Sequence, residues 1–206
     1  MLTLYGTKGS GSAAIEAALA RAGLAYTSVD AASWNPGPGR DELLRVNPLG
    51  QIPTLVLADG TVLTESAAIL IHLGLTVPPG LLLPADASAR ARAVRGLVYV
   101  AANCYAAISV IDYPERWCEP CDDAMKAQIR AGTRARLHEH WRLFADQFEI
   151  GFEAGVPGAL ELLATVVSKW SGSRPMLQAE RPSFFAQLQR VEQHPEVAAV
   201  FQRHWP

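Results

Sequence analysis

Asn47-Pro48-Leu49-Gly50-Gln51-Ile52-Pro53-Thr54-Leu55 leads into Val56-Leu57-Ala58-Asp59-Gly60-Thr61-Val62-Leu63, and the reading of this stretch decides the fold. Thr54–Leu57 and Thr61–Leu63 are β-rich segments around Ala58-Asp59-Gly60, and an Asp-Gly pair so placed is a strong hairpin signal. Pro53 stands directly before the first of these strands. A proline cannot donate to a ladder, so it is kept to a strand's first residue or to an edge. X–Pro bonds are cis in about 5–6% of cases in folded proteins, so the residues by themselves favour a trans Ile52–Pro53 bond. A cis bond there would expose the backbone N–H and C=O of Ile52 to a peptide ligand.

Upstream, Leu2–Tyr5 is a strand candidate, and Ser12–Ala22, rich in alanine, is a helix stopped by Gly23. Tyr26–Val29 is a second strand, Ala31–Gly39 with its Pro and Gly is a loop, and Asp41–Val46 is a short helix. Downstream, Thr64-Glu65-Ser66 precedes an apolar helical run to Leu73. The order is a βαβ unit joined to a ββα unit, which predicts a mixed sheet covered by helices. Val77-Pro78-Pro79-Gly80-Leu81-Leu82-Leu83-Pro84 reads as a linker. The expected organisation is therefore an α/β domain over 1–77, a linker over 78–84, and an all-helical domain over 85–206. Helices are expected at Ala85–Ile111, Asp122–Phe148, Gly158–Trp170 and Ser183–Gln193, with a short one after His194-Pro195.

The 206 residues are half hydrophobic and 18% charged, with a formal net charge of −2, the balance of an ordinary globular protein. That charge gives no electrostatic reason to expect nucleic acid or an anionic membrane as a partner. The opening residues lack the basic start and apolar stretch of a signal peptide. No uncharged apolar run approaches the roughly 20 residues that span a bilayer. Three cysteines make no disulfide framework, and the expected location is the reducing cytoplasm.

Two further segments carry chemistry. At Glu65-Ser66 a strand ends and a helix begins, so free amides and the positive helix end face one point. A ligand carboxylate suits the Ser66 hydroxyl and those amides, and Glu65 can accept from a ligand ammonium. The plain structural alternative is that Thr64 caps the helix and Glu65 complements its dipole. Gly9-Ser10-Gly11-Ser12, between the first strand and helix, leaves the backbone open and offers hydroxyls. It has neither the Walker lysine spacing nor a G-x-G-x-x-G fingerprint.

Together these motifs resemble the cytosolic glutathione transferases, and among them the bacterial, serine-type, theta- or beta-like members. The carrying residues are Leu4-Tyr5 with Gly9-Ser10-Gly11-Ser12, Ala22-Gly23-Leu24-Ala25-Tyr26, Asn47 to Leu55, and Leu63-Thr64-Glu65-Ser66-Ala67-Ala68-Ile69. The resemblance implies a thioredoxin-like α/β N-terminal domain followed by an all-α C-terminal domain, a cis Pro53, glutathione as co-substrate and no metal. It implies that Ile52 pairs its backbone with the cysteinyl part of glutathione, that Glu65 and Ser66 take the γ-glutamyl end, and that Gln51 assists. Ser10 fits the activating hydroxyl best, with Ser12 as its rival. A cysteine used by some bacterial relatives is replaced here by Gly11.

One hydrogen bond to a charged acceptor is worth about 1.5–3 kcal/mol. That is comparable to the roughly 2.7 kcal/mol needed to bring a free thiol's pKa down by two units. Tyr99, Tyr105, Tyr113 and Trp117 are candidates for the wall of an electrophile site. A homodimer through the third helix and the first long helix of the second domain is implied. Three activities are expected in order: conjugation of glutathione to small hydrophobic electrophiles, glutathione-dependent peroxide or disulfide reduction, and a non-catalytic binding module.

Cys118-Glu119-Pro120-Cys121 has redox spacing but sits in the wrong half of the chain, and is read as a surface-loop pair. His138-Glu139-His140 is no metal site, since residues two apart on a helix diverge. Cys104 reads as core. Where the family begins a buried helix with a Ser/Thr cap and an Asp three residues on, this chain has Gly158-Ala159-Leu160-Glu161, a weakened capping box in which Glu161 reaches back to a backbone amide.

Overall fold

Leu4 and Leu55 lie opposite each other on neighbouring strands, both fully buried, and mark the centre of the sheet. The computed structural model describes residues 1–148 and 156–206. Strands β1 (Leu2–Gly6), β2 (Tyr26–Asp30), β3 (Thr54–Val56) and β4 (Val62–Leu63) are arranged in the order β2-β1-β3-β4. β1 and β2 are parallel, which requires a crossover, supplied by helix α1 (Ser12–Arg21). β3 is antiparallel to β1 and to β4. The expected hairpin closes through Leu57 N–H to Thr61 O at 2.8 Å, with the Asp59 carboxylate accepting from the Thr61 amide at 2.9 Å.

Ala13, Ala14, Ala17 and Ala18 are fully buried with Ile15 and Leu19. Small side chains let α1 be enclosed on all sides, so its alternation of large and small residues is one of packing. Helix α2 spans Pro38–Val46 and starts three residues before the expected Asp41, because a proline's fixed φ suits a first helical turn. Helix α3 (Ser66–Thr76) completes this half. Together the two halves form a thioredoxin-like sheet domain and a mostly helical C-terminal region.

The helix expected over Ala85–Ile111 runs as α4 (Ala87–Tyr99), a π turn (Val100–Tyr105) and α5 (Ala106–Asp112). Asp86 caps it, its carboxylate accepting from the Ala89 amide at 2.7 Å. Counted as one stretch, Ala87–Asp112 is long and apolar enough to cross a membrane by composition, which revises the expectation that no run approached that length. Here Leu97, Val100 and Cys104 are fully buried in the core. Gly96 is where this helix meets α7 (Ala159–Val167): a Cβ there would stand 2.6 Å from Leu160.

After a 3₁₀ turn (Pro114–Arg116) comes α6 (Asp123–Phe148). The helix expected over Gly158–Trp170 stops at Val167, and α8 (Ser173–Glu180) follows, an element the sequence reading missed. Ser171 and Gly172, at φ 57° and 78°, break the path between them. Helices α9 (Pro182–Gln193) and α10 (Ala198–His204) complete the described chain.

Burial pushes the Cys104 thiol far up, while Cys118 and Cys121 are free and partly exposed on a loop that includes a cis Glu119–Pro120 bond. In reduced native protein, a thiol reagent is expected to titrate two of the three cysteines. The third should react only after denaturation. Three fast thiols would show that Cys104 is not held in the core.

Candidate active site

Asn47 builds the central turn. It is 3% exposed, and its side-chain amide donates to the Gln51 carbonyl at 3.1 Å and to the Thr54 hydroxyl at 3.0 Å. Its own Oδ1 accepts from the Leu49 amide at 3.1 Å. The Thr54 hydroxyl donates to the Gln51 carbonyl at 2.8 Å. With Gly50 at φ 61°, these bonds hold Gln51-Ile52-Pro53 in place, and the Ile52–Pro53 bond is cis.

Helix α3 begins at Ser66, and its N-cap residue Glu65 sits at φ 63° and makes no capping bond with its side chain. A non-glycine residue at such φ costs on the order of 1–3 kcal/mol, and here it turns the chain so that the first amides of α3 open toward the cavity beside Pro53. Thr64 does not cap the helix, contrary to the plain structural reading: no side chain among the described residues takes those amides.

A cavity of about 480 Å³ lies between the sheet domain and the helical region. One wall carries Gly9, Ser10, Gly11, Gln51, Ile52, Pro53, Glu65 and Ser66. The opposite wall is formed by the α4–α5 run and beyond, including Tyr105, Ile108, Asp112, Tyr113, Trp117 and Trp170. Tyr105 and Trp170 stack at 5.6 Å. The Arg116 guanidinium lies 4.0 Å over the Tyr113 ring, and Trp34 and Trp117, both more than half exposed, stand at the rim. Burial raises the Asp112 carboxyl above its ordinary value, opposed by Arg130.

Two of the predicted residues fall elsewhere. Tyr99 is not a lining residue: its hydroxyl donates to the His140 carbonyl at 3.1 Å and its ring packs against Phe144 and Phe148. Ser12 is fully buried beneath the turn, within 3.0 Å of the Ser10 hydroxyl. Ser10 lines the cavity and donates to the Thr7 carbonyl at 2.7 Å. The Tyr5 hydroxyl, the other phenol of this region, is spent on Glu42 at 2.7 Å. Trp34, Asp112, Arg116 and Trp170 were not singled out from the sequence; an aromatic inside the Gly/Pro loop at Trp34 was the one visible signal.

The opening turn is held from behind by the far end of the chain. The Gly9 amide donates to His204 Nδ1 at 3.1 Å, so the ring's proton is on Nε2, which donates to Glu16 at 2.9 Å. Glu16 also accepts from Arg203 at 3.2 Å and Tyr26 at 3.3 Å. Burial raises the Glu16 carboxyl, but the bonds from His204 and Arg203 outweigh it and hold the pKa below the ordinary value. Among the described residues no group of three His, Cys, Asp or Glu is placed to hold a metal.

The profile of the glutathione S-transferase N-terminal domain matches residues 12–75, the stretch that carries α1, the cis-proline turn and the start of α3. Over nearly the whole chain the fold matches a glutathione transferase homologue from Sulfitobacter crystallised with bound glutathione: TM-score 0.82, 26% identity, 98% of this chain and 97% of that one. The first part of the chain carries a glutathione S-transferase N-terminal domain, and the chain as a whole has the glutathione-transferase fold. The ternary complex of BphK, a bacterial glutathione S-transferase, superposes with TM-score 0.78 at 27% identity, covering 98% of both chains. Among curated relatives, the uncharacterised GST-like protein YncG of Escherichia coli K12 is 35% identical over 130 residues, and the matched part spans 63% of each chain. Glutathione S-transferase GstA of Escherichia coli O157:H7 is 29% identical over 161 residues, covering 76% of this chain and 75% of its own.

Proposed function

We propose that this chain is a glutathione S-transferase family member that conjugates the thiolate of glutathione to small hydrophobic electrophiles. One observation carries the reading: the uncapped N-terminus of α3, with Glu65 and Ser66, opens into the same cavity as the cis-Pro53 turn and Ser10. A γ-glutamyl carboxylate at the α3 amides and the Ser66 hydroxyl meets the positive end of the helix dipole. The Glu65 carboxylate suits the γ-glutamyl ammonium, and the backbone of Ile52, aligned by cis-Pro53 with Gln51 beside it, suits the cysteinyl unit. A sulfur delivered from there reaches the Gly9-Ser10 turn. Of the two serines, Ser10 faces the cavity and Ser12 supports it from below. The aromatic wall of Tyr105, Tyr113 and Trp117 suits an apolar electrophile. A structural relative crystallised with glutathione, and a sequence relative named a glutathione S-transferase, support the same reading.

Calorimetry tests the binding half. Glutathione is expected to bind the wild type, and Ser66→Ala to weaken it about tenfold, the equivalent of about 1.4 kcal/mol. Absence of binding to the wild type would overturn the reading. Turnover of a chlorodinitrobenzene-type electrophile, beside a hydroperoxide, then separates conjugation from reduction and from mere binding.

The homodimer is part of the same proposal. Leu75 on α3 and Val98 on α4, at 65% and 51% exposure, are apolar residues on the two helices implied for the contact. A monomeric mass by light scattering would count against it. The place of action is the cytoplasm, and no metal takes part in this reading.

A further inference from the structure

Gly11 has no space for a side chain: a Cβ built on it would stand 2.2 Å from the hydroxyl oxygen of Tyr105 and 3.1 Å from its Cζ. The phenol tip therefore occupies the place beside the opening turn that a residue-11 side chain would fill. Tyr105 closes the π turn of the long helical run, and its ring stacks on Trp170 with an interplanar angle of 26°. Both residues line the cavity, so the hydroxyl is aimed from the helical region into the turn of the sheet domain. The Gly11 amide faces the phenol oxygen as a donor, and among the described residues no acceptor takes the phenol's own proton.

Ser10 is placed differently. Its proton goes to the Thr7 carbonyl at 2.7 Å, and its oxygen accepts from the Ser12 amide at 3.2 Å. It must break a short bond inside the turn before it can donate to a ligand. Tyr105 has no such bond to break. Burial, and then the carboxylates of Asp112 and Glu65, push the Tyr105 phenol up to about 12, so it keeps its proton throughout the neutral range.

We propose that Tyr105 is a catalytic residue, its hydroxyl donating the hydrogen bond that stabilises the glutathione thiolate, while Ser10 shapes the turn that receives the sulfur. The thiol proton leaves to solvent, the sulfur keeps its electron pair, and the phenol stays protonated. The proposal rests on the glutathione-binding reading and goes beyond the aromatic-wall role given to Tyr105, because it acts before any electrophile binds.

The test is a pH titration of thiolate absorbance in the binary glutathione complex of wild type, Tyr105→Phe, Gly11→Ala and Ser10→Ala, with glutathione affinity measured in parallel. Tyr105→Phe keeps the ring on Trp170 and removes only the donor. It is expected to raise the pKa of the bound thiol by about one unit, a tenfold fall in the acid dissociation constant of the bound thiol. Turnover should fall with the thiolate fraction at pH 7 and recover as pH rises, with glutathione affinity retained. Gly11→Ala, whose Cβ displaces the phenol tip, is expected to shift the titration in the same direction. If Tyr105→Phe binds glutathione and titrates like the wild type, the proposal is overturned while the glutathione reading stands. If the wild type binds no glutathione, both fall.

Discussion

Phe144→Ala is expected to lower the unfolding free energy by about 3–5 kcal/mol, the usual cost of emptying a large buried aromatic site. Phe144 is fully buried on α6. Its ring stacks on Phe148 at 4.7 Å, meets Trp141 edge-on at 5.5 Å, and reaches Tyr99 of α4 and Phe184 of α9, each at 5.8 Å. Tyr99 and Phe148 also pack against each other, at 6.1 Å, so neither can move into the space alone. At roughly 2–4 °C per kcal/mol for a chain of this size, the melting temperature should drop by about 6–20 °C. Urea unfolding of the variant checks the figure, and a loss below about 1 kcal/mol would show that the helices close over the gap.

Glu161 gives the largest expected pH effect. Burial raises its carboxyl from 4.5 to about 7, against the pull of its own amide, the Gly158 amide and Arg21. The folded state therefore holds this proton where the unfolded chain releases it. The associated stability is complete below about pH 4.5, declines as pH rises, and is gone above about pH 7. The shift corresponds to about 3 kcal/mol. Glu161→Gln cannot ionise, so its stability relative to the wild type should climb by about that amount between pH 4.5 and 7. Parallel stability curves for the two proteins across this range would refute the assignment. The carboxylate lies on Gly158, where a Cβ would stand 2.6 Å from Oε2. The capping interaction expected from Gly158-Ala159-Leu160-Glu161 thus exists, but in a setting that favours its protonated form.

The hairpin and the α3 start were legible because their signals are local. Asp59-Gly60 dictates a turn by backbone preference, and Glu65-Ser66 sits where a β-rich segment meets a helical period. The Ile52–Pro53 bond was not legible from the residues alone, since cis and trans differ little in intrinsic energy and the surroundings decide. Tyr99 and Tyr105 show a second limit. Both lie on one apolar helical run, but a π turn spans Val100–Tyr105, and a period of 3.6 does not carry across it. Six positions apart, the two would diverge by about 120° even on a regular helix, and Tyr99 faces α6 while Tyr105 faces the cavity. The break at Ser171-Gly172 hid α8 for a related reason, since a serine at positive φ is set by tertiary packing.

The bond from the Gly9 amide to His204 spans 195 positions, and this orders events during synthesis on the ribosome. All four strands have been made by residue 63, so the sheet can pair early. The opening turn, however, waits for the imidazole that anchors it until translation has reached α10. A nascent chain halted before that helix would lack the anchor of the Gly9-Ser10 turn. Anchoring of this turn is thereby coupled to the synthesis of α10.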